Sequence, residues 1–328
     1  MPIHPIWDNF PEIKEDLVGC YALMEKKVRI RNKDIQEAIF DLLNGGGKLL
    51  RPAYFILFSR FGNLQKQDHK KLLYAASSVE MLHIATLVHD DIIDDSPTRR
   101  GTQSIQSKFG KDIAVYTGDF LFTVYFDLLA HATDSTAAVK LNAFAMKRIL
   151  LGELDQMHQR YNMDITLRQY LRSISGKTAQ LFSLSCFEGA KWGFCSPSVI
   201  ISSRHIGHHI GIAYQMLDDI LDYTQNSETL AKPVLEDVKQ GVYSLPLILA
   251  MRGHKEAFEP LLRKGKDMTP EDTQQVVHLI EKYHGTSKAQ QLAQRYTDKA
   301  LNGIQALPDR PEKKILYRLT EELLYRNF

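Results

Sequence analysis

KKLLYAASSVEMLHIATLVHDDIIDD, residues 70–95, runs for about seven helical turns without a glycine or a proline to interrupt it. It is apolar for most of its length and closes on a cluster of aspartates. Such a segment reads as a long core helix, and the chain on either side repeats the pattern. Capping signals mark further helices: Thr166 with Gln169, Ser196 before Pro197, and Thr269-Pro270-Glu271-Asp272. Others are expected over 113–131, 135–161, 287–304 and 311–325, divided by short Gly, Asn, Asp and Pro breaks. No alternating run bounded by turn signals points to a strand. Two segments read as loops able to close over a ligand: Gly45-Gly46-Gly47, and 226–244 with Pro233, Gly241 and no sustained apolar face. With no fixed-period repeat and no Ser/Gly linker, the expectation is one all-α domain spanning 1–328.

The 328 residues carry 24% charged and 44% hydrophobic side chains, the proportions of an ordinary globular protein. Forty-one Lys and Arg against 39 Asp and Glu leave a net charge of +2, which excludes a nucleic-acid binder held by bulk charge and makes any electrostatic site local. Cys20, Cys186 and Cys195 lie far apart with no CxxC pair, so they read as buried apolar residues in a reducing cytoplasm. The first ten residues lack the basic stretch and apolar run of a signal peptide. Charges interrupt every apolar stretch within about 18 residues, so no integral membrane segment is expected.

Asp90-Asp91-Ile92-Ile93-Asp94 is echoed downstream by Asp218-Asp219-Ile220-Leu221-Asp222. With 23 aspartates in the chain, random placement would give about 0.1 such DDxxD motif, so two are not accidental. On a helix the first and last aspartates of each motif share a face, with the middle one a step round. Like charges at that spacing, close to a helix carboxyl end, need a positive partner. Carboxylates without His or Cys suit a hard cation such as Mg²⁺, which takes a few of them together with waters and phosphate oxygens. The plainer alternative is a pair of solvated helix ends, but each cluster follows an apolar stretch.

Basic residues stand where a diphosphate would need them. Arg99-Arg100-Gly101 follows the first cluster, and guanidinium forks match phosphate oxygens. Lys48 and Arg51 flank the glycine loop, whose backbone N–H groups can also face an anion. His83, seven residues before Asp90, shares its helical face. Together these residues describe two anionic subsites, one with metal and one without.

The chain resembles the trans-isoprenyl diphosphate synthases, the polyprenyl synthetase family. Gly46-Gly47-Lys48-Leu49-Leu50-Arg51-Pro52 is similar to its GGKRxRP motif, and 82–101 to its first aspartate-rich region. Gly118-Asp119-Phe120-Leu121, Gly152-Glu153, Lys177-Thr178-Ala179, Tyr214-Gln215, Lys232-Pro233 and Leu245-Pro246 follow in family order. The resemblance implies a bundle of antiparallel helices around a deep central cavity, usually dimeric, in which an allylic diphosphate is elongated with isopentenyl diphosphate. It assigns Mg²⁺ to Asp90, Asp91 and Asp94 and to Asp218, Asp219 and Asp222. Lys48, Arg51, His83 and Arg100 would hold isopentenyl diphosphate. Arg99, Lys177 and Lys232 would grip the allylic diphosphate, while Thr178 and Gln215 line the reacting centre. The 226–244 loop would exclude water.

Departures from the family pattern are Leu49 for its middle arginine, Ala231 for a glycine, and Val242 where many short-chain members carry lysine. Chain length rests on Ala85 and Thr86, small where short-chain members have a large aromatic, which implies a product of twenty carbons or more. Met81, Leu82, Phe122, Tyr125 or Phe126 could set a deeper floor, or simply pack the core. Two alternatives stay open: a class I terpene cyclase, against which Lys48, Arg51 and His83 speak, and a catalytic subunit that needs a different second chain.

Overall fold

The computed structural model describes residues 3–45, 47–224 and 236–325, and helices dominate it throughout. They are α1 (Pro11–Lys27), α2 (Lys33–Asn44), α3 (Leu50–Ser59), α4 (His69–Ile93), α5 (Ile105–Phe109), α6 (Lys111–Ala132), α7 (Thr136–His158) and α8 (Leu167–Ile174). There follow α9 (Gln180–Trp192), α10 (Pro197–Thr224), α11 (Glu236–Lys239), α12 (Leu245–Met251), α13 (Lys255–Leu262), α14 (Pro270–Lys282), α15 (Gly285–Gln305) and α16 (Pro311–Leu324). The caps expected from sequence form. Thr166 and Gln169 close a reciprocal capping box at α8, Thr269 and Asp272 do so at α14, and Pro197 and Pro270 occupy first-turn positions.

One element departs from the strand-free expectation. β1 (Thr98–Arg99) and β2 (Thr102–Gln103) pair antiparallel, Thr98 opposite Gln103 and Arg99 opposite Thr102. The two linking residues, Arg100 (φ 51°) and Gly101 (φ 80°), both take the left-handed conformation that a tight two-residue hairpin requires. Strands of two residues are too short for alternation to reveal them.

The chain packs as two compact units. The first is Met1–Met146 with Leu184–Arg204 and Pro308–Leu316. Its core is α4, buried on every side by Leu72, Ala76, Val79, Met81, Leu82, Ala85 and Val88 among others, as expected of a helix apolar all round. α6 lies antiparallel to it: the rings of Tyr74 and His131 stack near one end, and His89 stacks on Phe122 near the other. The second unit is Lys147–Ser183, His205–Leu307 and Tyr317–Phe328. There the backbone of α7 at Gly152 meets the chain at Gly176, where a Cβ on Gly176 would stand 2.8 Å from the Gly152 Cα.

By length and composition alone, α4 and α6 could cross a membrane, which corrects the expectation that no segment qualifies. The charges counted on from sequence are too sparse within their apolar windows. Packing supplies the other reading for α4, where 72% of the window is buried inside the protein as in a core helix; in α6 the buried share is 44%.

Candidate active site

In the first unit the site is built on the carboxyl end of α4. Each residue advances about 100° round a helix, so Asp90 and Asp94 lie about 40° apart while Asp91 points elsewhere. Asp90 and Asp94 are half-buried; Asp91 is 3% exposed. Its Oδ1 accepts Arg99 Nε at 2.7 Å and Arg99 Nη2 as well. Burial pushes the Asp91 carboxyl above its ordinary range, against the pull of Arg99. Arg99, expected on the allylic diphosphate, is therefore engaged with Asp91, itself an expected metal ligand. The hairpin that carries Arg99 turns Arg100 the other way, where Nη1 donates to the Leu42 carbonyl at 3.1 Å. The Arg100 guanidinium lies so close to Gly47 that a Cβ there would come within 2.6 Å of Nη1. A side chain at that position would push the Arg100 guanidinium from its place.

Lys48 and Arg51 are half-buried beside it. The Lys48 carbonyl accepts the indole N–H of Trp7 at 2.8 Å, so the fully buried Trp7 pins the loop. Leu49, which replaces an arginine of the family pattern, is 5% exposed with φ 47° and serves the core. Burial, with Arg51, Arg100 and Arg99 nearby, holds the His83 imidazole well below its ordinary pKa, so at neutral pH it is an uncharged donor. One turn before it stands Glu80, 2% exposed, with an Oε2 that accepts no hydrogen bond. Burial raises its carboxyl pKa against the opposing pull of Arg51 and Arg100.

Among the chain-length residues, Ala85 is fully buried and Thr86 half-buried, its hydroxyl donating to the His83 carbonyl at 2.7 Å. Met81 and Leu82 are fully buried, and the buried Tyr125 donates to Asn142 Oδ1 at 3.2 Å. Phe126 is 42% exposed. His89 is fixed between the Ala85 carbonyl (Nδ1, 3.0 Å) and Asp119 Oδ1 (Nε2, 3.2 Å).

The second unit repeats the aspartate arrangement on α10. Asp218 is half-buried, Asp222 exposed and Asp219 buried. Asp219 Oδ2 accepts the Tyr170 hydroxyl at 2.7 Å and the Leu245 N–H at 3.2 Å, while Oδ1 accepts Gln215 Nε2 at 2.9 Å. Burial pushes the Asp219 carboxyl up to about 6 despite these donors, with a smaller push from Asp218. The Thr178 hydroxyl donates to Gln215 Oε1 at 2.7 Å. Thr178 and Lys177 sit on a single π-helical turn, Ser175–Ala179, a form that concentrates at functional sites. Lys177 Nζ lies 2.9 Å from Glu153 Oε2 and donates to Gln156 Oε1 at 3.1 Å. Lys232 and most of the 226–244 loop fall outside the described residues.

Each unit thus presents two outer aspartates one helical turn apart and anchors the middle one. Among the described residues no three His, Cys, Asp or Glu side chains converge to enclose an ion by themselves. Mg²⁺ does not need such a cage, because substrate phosphates and waters complete its octahedron. The outer pairs Asp90/Asp94 and Asp218/Asp222 supply carboxylates of the type it takes, while Asp91 pairs with Arg99 and Asp219 accepts from Tyr170, Gln215 and Leu245. Sequence reasoning did not single out Glu80, Tyr170, Gln156 or Trp7 for the site. Glu80 had a signal, an acid inside an apolar run, while Tyr170 had none beyond the helix it sits on.

A family model described as polyprenyl synthetase matches residues 32–282. The chain belongs to the polyprenyl synthetase family. The heptaprenyl diphosphate synthase component 2 of Bacillus subtilis (strain 168) is 32% identical over 317 residues, covering 96% of this chain and 89% of that protein. Among solved structures, a geranylgeranyl pyrophosphate synthase from Lactobacillus brevis ATCC 367 superposes with a TM-score of 0.94 at 48% identity, covering 98% and 99% of the two chains. A heptaprenyl diphosphate synthase from Staphylococcus aureus gives 0.90 at 32%, covering 96% and 99%.

Proposed function

We propose that the protein condenses isopentenyl diphosphate with an allylic prenyl diphosphate, releasing diphosphate and an all-trans polyprenyl diphosphate of twenty carbons or more. It is an enzyme, a prenyltransferase of the polyprenyl synthetase family. The carrying observation is the matched pair of aspartate helices, each with accessible outer carboxylates and an anchored middle one. The family match takes in segments of both units, which supports one polyprenyl synthetase domain.

Asp90, Asp94, Asp218 and Asp222 would hold Mg²⁺, which when bound neutralises the allylic diphosphate and improves it as a leaving group. Asp91 and Asp219 position their neighbours instead. Lys48, Arg51, Arg100 and the neutral His83 donate to isopentenyl diphosphate. Arg99, Lys177 and Lys232 take up charge that develops on the departing diphosphate. The allylic C–O bond breaks with its electron pair leaving on diphosphate, and the isopentenyl double bond attacks the cation. The new C–C bond forms, and a proton passes to the released diphosphate. Small side chains at Ala85 and Thr86 let the tail pass the farnesyl length, in keeping with the geranylgeranyl and heptaprenyl products in the relatives' names. Three free, buried cysteines suit a cytoplasmic location.

Incubation with farnesyl diphosphate, labelled isopentenyl diphosphate and Mg²⁺, followed by chromatography, should yield labelled products of C20 or longer. Only farnesyl-sized or shorter products would overturn the chain length, and products formed without isopentenyl diphosphate would point to a terpene cyclase. The "component 2" in two relatives' names favours a second reading, a catalytic subunit of a heterodimer. Activity appearing only on addition of a second, different chain would establish it.

A further inference from the structure

Three helices, α8, α10 and α12, meet on the Asp219 carboxylate. Tyr170 of α8 and the first N–H of α12 fill Oδ2, and Gln215 of α10 fills Oδ1. Tyr170 is 5% exposed and Asp219 7%, so water does not compete for these bonds. The consequence is directional. An aspartate that accepts all three donors can face only the NH₂ side of the Gln215 amide, so the Gln215 carbonyl is turned toward Thr178. The Thr178 hydroxyl spends its hydrogen on that carbonyl at 2.7 Å, which leaves the lone pairs of Thr178 Oγ1 as its outward-facing charge. A fixed, partly negative oxygen stabilises positive charge without reorganising at the moment of reaction.

We propose that Tyr170 is a positioning residue for the prenyl transfer step: through Asp219 it sets the Gln215 amide, and through Gln215 the polarity of the Thr178 hydroxyl. This rests on the function proposed above. It also makes Asp219 the second link of a relay rather than a metal ligand. The effect of Tyr170 travels through three hydrogen bonds, Tyr170 to Asp219, Gln215 to Asp219 and Thr178 to Gln215.

The test is a double-mutant cycle on turnover with farnesyl diphosphate, isopentenyl diphosphate and Mg²⁺, with Tyr170→Phe and Gln215→Ala. Tyr170→Phe should lower kcat about tenfold, the worth of one charge-assisted hydrogen bond, with KM for both diphosphates within about twofold of wild type. In the Gln215→Ala background the same substitution should cost nothing further, because the residue it acts through is gone. Additive losses, or an unchanged kcat in Tyr170→Phe, would overturn the inference while wild-type turnover leaves the proposed function standing. A wild type that transfers no prenyl group would overturn both. If Tyr170→Phe does not fold, Asp219→Asn takes its place in the cycle. In that variant the Mg²⁺ concentration for half-maximal activity should stay within about twofold, whereas Asp218→Asn should raise it more than tenfold. A rise in Asp219→Asn matching that of Asp218→Asn would make Asp219 a ligand and sink the relay.

Discussion

Asp91 and Asp219 hold the same place in two copies of one motif, and the fold satisfies them by different means. Asp91 has a full counter-charge in Arg99, whereas Asp219 has only neutral donors. Replacing Arg99 by Leu therefore strands a carboxylate whose side chain is 5% exposed, and should cost about 3 kcal/mol in urea unfolding, at the low end for a broken buried pair because Arg99 itself is 30% exposed. Asp91→Leu in the same chain should recover much of the loss, since a buried pair replaced by apolar residues is often neutral. Asp219 makes a different forecast. Its carboxyl rises from an ordinary 3.8 to about 6, so between those values the folded state binds more protons than the unfolded one. Stability from this group is complete below pH 4 and is lost as pH climbs through about 6, a change of about 3 kcal/mol. Unfolding curves at pH 4, 5, 6 and 7 should fall more steeply in wild type than in Asp219→Asn, where the raised carboxyls of Asp91 and Glu80 still contribute to the slope. Equal slopes in the two proteins would mean that Asp219 is already ionised at pH 4.

Helices were readable from sequence because their signals are local. A cap needs only three residues, as Thr166 to Gln169 and Thr269 to Asp272 show, and an apolar helix such as α4 advertises itself over many turns. The aspartate faces were readable for the same reason, since helix geometry alone separates Asp90 and Asp94 from Asp91. What stayed hidden was tertiary or very short. Nothing near Tyr170 in sequence announces a partner 49 residues away, and neither the two-residue strands nor the π turn has a period long enough to detect. The π turn depends on a contact that sequence records only as two isolated glycines. A Cβ on Gly152 would stand 2.5 Å from the Lys177 backbone nitrogen, a distance that forces backbone apart. Gly152→Ala should therefore destabilise the protein by about 2–3 kcal/mol and lower its melting temperature by several degrees. Because the displaced residue is Lys177, turnover should fall even in the fraction that remains folded. A variant with wild-type melting temperature and turnover would show that the two backbones have room to part.

At the scale of the whole molecule the unexplained feature is apolar surface. In the carboxyl half of α7, Leu150, Leu151, Leu154 and Met157 are 42%, 46%, 60% and 41% exposed. Their spacing of three and four residues puts them on one stripe of the helix, and single exposed hydrophobics would need no explanation but a stripe does. Each of the four side chains keeps two fifths or more of its surface uncovered by the described residues, so assembly is the simplest use of the stripe, either with a second copy or with a different subunit as the relatives' "component 2" names suggest. Leu154, the most exposed of the four, is the position to change. Leu154→Lys should leave the melting temperature of the isolated chain within a few degrees, because exposed substitutions rarely exceed about 0.5 kcal/mol. In light scattering coupled to gel filtration, the purified wild type should run at twice the 37.5 kDa chain mass if the stripe joins two copies, and Leu154→Lys should run at that mass once. If the stripe instead meets a different subunit, wild type and variant alike run as single chains, and only the wild type gains mass when that subunit is added. A wild-type dimer that Leu154→Lys leaves intact would place the interface elsewhere on the molecule.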